Sequence, residues 1–80
     1  MGKGGVISMK LTLKACRVNV DATQKEMADA IGVTENTICN WETGNTFPTA
    51  KQMEKILGFF ASKGFDVGLD NINFLPKNTI

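Results

Sequence analysis

The stretch Thr23-Gln-Lys-Glu-Met-Ala-Asp-Ala-Ile-Gly-Val-Thr-Glu-Asn-Thr-Ile-Cys-Asn-Trp-Glu-Thr-Gly44 reads as two short helices joined by a glycine turn. Thr23 stands three residues before Glu26, the spacing at which a threonine hydroxyl accepts from a first-turn amide while the glutamate reaches back to the cap. Thr34 takes the same place ahead of the second helix. Gly32 and Gly44 close the two helices, because the left-handed residue that ends a helix is easiest to form without a Cβ. Met27, Ala28 and Ile31 fall on one face of the first helix, about Gln24 to Ile31, and Ile38 and Trp41 on one face of the second, about Glu35 to Thr43. Glu35, Asn36 and Asn40 are left outward. This is the helix-turn-helix unit that lays its second helix in the DNA major groove.

Upstream, Leu13, Cys16 and Val20 form a helical stripe that also carries Arg17, so a helix is predicted over about Thr12 to Asn19. Downstream, Thr49 and Gln52 repeat the capping spacing after the loop Asn45-Thr-Phe-Pro48. Met53, Ile56, Leu57 and Phe60 then continue as a fourth helix that ends before Gly64. Residues 65–80 contain one glycine, three asparagines and a proline, which predicts one helical turn near Leu69 to Ile72 and then an extended tail. The expected fold is all-α, a compact four- to five-helix bundle. Its parts are a flexible N-terminal arm over residues 1–8, a DNA-binding domain over 9–64 and a C-terminal extension over 65–80 that is a candidate dimerisation segment.

Eighty residues with 42% hydrophobic content build one small core with only a few kcal/mol of net stability. A partner subunit would add to it. Four of the five phenylalanines follow Gly58, so a symmetric homodimer through Phe59, Phe65, Ile72, Phe74 and Leu75 is expected. The net charge of +1 gives no overall attraction to nucleic acid, and DNA-facing charge must be local, with Lys14, Lys10 and Lys51 as candidates.

The chain has no histidine, and Cys16 and Cys39 lack metal-ligand spacing, so neither a metal nor a cofactor is expected. Without a histidine base or a phosphate-binding glycine loop, an enzyme is not expected either, and no small-molecule ligand is evident. Cys39 reads as a small neutral residue and Trp41 as core. No apolar run is long enough to span a membrane, and the glycine-rich start lacks the apolar stretch of a signal peptide, so a cytoplasmic protein is expected.

Arg17, Thr23-Gln24, Ala28, Gly32-Val33-Thr34, Ile38, Trp41-Glu42, Gly44 and Pro48 together resemble the Cro and lambda-repressor group, the xenobiotic-response-element type of helix-turn-helix regulators. The resemblance covers about Leu11 to Leu57. It implies a dimer that binds an operator with inverted half-sites and represses transcription, as its members do in phages, plasmids and bacterial chromosomes. It also implies that Gln24 donates to a DNA phosphate while bracing the recognition helix, and that Arg17 pairs with Glu42. The segment Phe59 to Leu69 is longer than the family's usual link to a fifth helix, and Glu35 is acidic where the family often has a neutral or basic residue.

Chemistry then assigns roles to the outward residues. Asparagine amides at 36 and 40 match adenine N6 and N7, and Glu35 can accept from cytosine N4. Thr34, Thr37 and Thr43 can donate to phosphates. Arg17 and Glu42 lie on otherwise apolar stripes, and two charges so placed must meet. The competing reading is a protein-interaction module, antitoxin-like or an adaptor, which the near-neutral charge and Glu35 favour and the amides and Gln24 oppose.

Overall fold

The computed structural model describes residues 11–74. The expected N-terminal arm, Lys10 and Leu75 lie outside the described residues. Strand β1 (Leu11–Thr12) leads into α1 (Leu13–Asn19), followed by α2 (Gln24–Ile31), α3 (Glu35–Thr43) and α4 (Ala50–Ser62). A single 3₁₀ turn at Leu69–Asn71 precedes β2 (Ile72–Asn73).

Each helix starts where a threonine caps it. Thr12, Thr23, Thr34 and Thr49 accept from the backbone amides of Ala15, Glu26, Thr37 and Gln52, and the reciprocal side-chain bond is present at Thr23 and Thr49. Gly32 and Gly44 end α2 and α3 in the left-handed conformation, with φ of 88° and 84°.

The core gathers one stripe from every helix. Leu13, Cys16, Met27, Ile38, Ile56 and Phe60 are fully enclosed, and Ala28, Ile31 and Trp41 are buried beside them. Phe60 packs against Phe59 and Phe65 at centroid distances of 5.6 and 6.0 Å, tilted and edge-on as ring quadrupoles prefer.

Two features differ from the sequence reading. The C-terminal aromatics expected at a subunit interface pack on their own chain. Phe59 and Ile72 are buried, and Phe65 and Phe74 lie half-buried against the same core, since the chain turns back after Gly64 and lays Val67 and Ile72 over it. The second difference is a small parallel sheet beside the helices, with Leu11 opposite Ile72 and Thr12 opposite Asn73. A two-residue ladder carries no sequence period of its own, so only tertiary context can create it. Among the described residues, Val18, Phe47 and Leu69 are the large apolar side chains left exposed. Among the described residues, no helix is long and apolar enough to cross a membrane.

Candidate nucleic-acid interface

The turn between α1 and α2 is built to present a carbonyl. Asp21 adopts a left-handed φ of 57°, its amide donates to the Val18 carbonyl at 3.0 Å, and the Ala22 amide donates to the Arg17 carbonyl at 3.1 Å. Asparagine and aspartate tolerate this conformation better than other side chains. The Ala22 carbonyl then accepts from Arg17 Nη1 at 2.8 Å.

The rest of the guanidinium faces α3. Arg17 Nε donates to Glu42 Oε2 at 2.6 Å and Nη2 to Oε1 at 3.2 Å, a forked contact with only 10% and 4% of the two side chains exposed. Gln24 Nε2 donates to the same Oε1 at 3.0 Å. No buried side-chain nitrogen or oxygen among the described residues lacks a partner. One carboxylate thus ties α1, the first residue of α2 and α3 together, so the recognition helix is held by directional bonds as well as by Ile38 and Trp41. The arginine–glutamate pair was legible from the stripes. The Ala22 carbonyl and the direct Gln24–Glu42 bond were not, because the first depends on a left-handed turn and the second on the approach of α2 to α3.

On the outer side, Glu35 and Asn36 are exposed at the start of α3. The Asn36 side chain has no hydrogen-bond partner among the described residues. The acid of Glu35 sits where the helix dipole favours negative charge. Thr34 and Thr37 share a hydroxyl contact of 2.8 Å while Thr34 Oγ1 accepts the Thr37 amide at 3.1 Å. One hydroxyl hydrogen of the pair thus stays available to an acceptor.

Thr43 is set apart from these. Its hydroxyl donates to the carbonyls of Cys39 at 3.0 Å and Asn40 at 3.3 Å, so its hydrogen serves the last turn of α3 instead of an outside phosphate. Asn40 is half-buried, and its Oδ1 accepts from Asn45 Nδ2 at 3.2 Å. Asn45 had no place in the sequence reading beyond the loop. Lys14 and Lys51 are exposed and Cys39 is half-buried. Among the described residues, no group of three or more histidine, cysteine or carboxylate side chains could hold a metal ion.

A helix-turn-helix family profile matches residues 13–66, from the start of α1 through α4. Two curated relatives are each 39% identical: the type II methyltransferase M1.ScrFI of Lactococcus lactis subsp. cremoris over 54 residues, and the type II methyltransferase M.SsoII of Shigella sonnei over 51. These stretches cover 64% and 60% of this chain but 14% of each relative, so the chain spans about one-seventh of the length of the curated relatives it matches. No solved structure matches it. With four capped helices, a glycine joint between α2 and α3 and a profile match over most of its length, the chain belongs to the Cro and lambda-repressor-like helix-turn-helix family.

Proposed function

We propose that this protein is a sequence-specific transcriptional regulator, a repressor that acts in the cytoplasm as a homodimer on an inverted-repeat operator. The observation that carries the reading is the exposed pair Glu35 and Asn36 at the head of a recognition helix whose inner side is fixed by Trp41 and the Arg17–Glu42 pair. Base edges are read by side chains presented there, and a helix held rigidly behind them keeps their geometry.

In this reading α3 enters the major groove. Asn36 pairs with an adenine edge and Glu35 accepts from cytosine N4 while repelling phosphates, so Glu35 adds selectivity at some loss of affinity. Gln24, with one amide hydrogen on Glu42, offers the other to a phosphate, and the Thr34–Thr37 pair offers a hydroxyl. Lys14 adds charge that acts on all sequences alike. Two copies would place their recognition helices about 10 to 10.5 base pairs apart. The chain performs no chemistry of its own. The similarity to one-seventh of each methyltransferase supports a recognition unit that can sit within larger proteins.

The test is selection of genomic fragments by the purified protein, followed by a salt titration on the fragments recovered. A defined inverted repeat whose affinity falls steeply with salt is expected. No enriched sequence, or binding that ignores salt, would defeat the reading. The second reading, a protein-interaction module, draws on the exposed Glu35 and the net charge of +1, and would show as capture of a protein partner with weak salt dependence.

A further inference from the structure

The two asparagines of the recognition helix are not chemically equivalent. Asn36 carries its whole amide outward, acceptor and donor together. Asn40 does not, because one of the two acceptor positions of its Oδ1 is taken by Asn45 Nδ2 at 3.2 Å. The contact is built into the helix end. The buried Gly44 turns left-handed at φ 84°, and the amides of Asn45 and Thr46 then both donate to the Asn40 carbonyl, at 2.9 and 3.3 Å. That places Asn45 beside Asn40 whatever lies outside.

We propose that Asn45, a loop residue, sets the base preference of Asn40 by holding its side-chain oxygen, so that Asn40 reads the acceptor edge of guanine while Asn36 reads adenine. The proposal rests on the DNA-reading function above. Adenine presents an acceptor at N7 and a donor at N6, so an asparagine must offer both an N–H and an oxygen to match it. Guanine presents acceptors at N7 and O6, which the two Nδ2 hydrogens of Asn40 can meet with its oxygen still held by Asn45. Adenine N6 would have to share Oδ1 with Asn45 Nδ2, which weakens the Asn40–Asn45 bond, whereas guanine leaves that bond undisturbed. An exposed neutral hydrogen bond biases an equilibrium by roughly two- to tenfold, and that is the discrimination expected from Asn45.

The experiment is selection from a randomised duplex library at one salt concentration with the parent and with Asn36→Ala, Asn40→Ala, Asn45→Ala and Asn45→Asp, each checked for an unchanged thermal transition. Asn40→Ala identifies the base that residue reads. At that base the parent should favour guanine over adenine, and Asn45→Ala should lower the ratio by about two- to tenfold with the remaining positions unchanged. Asn45→Asp can only accept, so it should turn the Asn40 amide and move the preference further from guanine. An unchanged guanine-to-adenine ratio in both Asn45 variants, or adenine chosen there by the parent, overturns the proposal and leaves DNA reading intact. Failure of the parent to enrich any sequence overturns both.

Discussion

Replacing Arg17 by methionine removes its bonds to both oxygens of Glu42 and to the Ala22 carbonyl. The Glu42 carboxylate then stays in a site where 4% of its side chain meets water, with Gln24 as its remaining partner. Stranding one member of a buried pair costs about 3 to 5 kcal/mol. The double change Arg17→Met with Glu42→Leu should recover much of that, since no charge is left buried. Urea melts of the three variants decide it, and Arg17→Ala melting with the parent would reject the pair. The two cysteines offer a second residue-scale check. Burial pushes the Cys16 thiol above its usual range, which keeps it protonated and unreactive, whereas Cys39 is half-exposed. A thiol reagent at neutral pH should label Cys39 in the native protein and Cys16 only on unfolding, as mass spectrometry of timed samples would show.

Among the elements, α2 shows how far local chemistry can be read. Its limits, Gln24 and Ile31, follow from Thr23, Glu26 and Gly32, all of which act within a turn of the ends they define. Glu26 also accepts from Lys63 Nζ at 3.1 Å, and this bond, then the Thr23 amide and the nearby positive charge, hold its carboxyl below the usual range. Because the folded value is lowered, the stabilisation is complete above the range where a free glutamate titrates. It disappears as pH falls through the folded value. Glu26→Gln should therefore lower stability modestly at neutral pH, flatten the acid limb of a stability-versus-pH curve, and match the parent once pH is below the folded value. Thr49→Ala at the head of α4 should cost about 1 kcal/mol in a thermal melt. The Glu26–Lys63 contact, the Asn40–Asn45 bond and the β1–β2 ladder could not be read in advance. Each joins groups whose meeting depends on a turn geometry or a return of the chain, and neither leaves a periodic trace in sequence.

At the scale of the molecule, the aromatics past Gly58 belong to the chain's own core, which changes what their substitution should do. Phe59→Ala should cost about 3 to 5 kcal/mol, and its effect on the melting temperature should not vary with protein concentration, as it would if Phe59 were buried between subunits. Sedimentation of the parent at micromolar concentration, with and without operator DNA, tests the proposed homodimer. A monomer under both conditions would remove it. The helices were legible because most of their packing joins neighbours in sequence, while the closing contact between Leu11 and Ile72 joins residues from opposite ends of the described chain. That contact also has a mechanical meaning. The strands β1 and β2 run parallel, so tension applied through the chain before Leu11 and after Asn73 pulls them in opposite senses along their length. The bonds between them are then loaded together in shear instead of being peeled one at a time. Until they slip, the helices between them, the recognition helix included, carry little of the force.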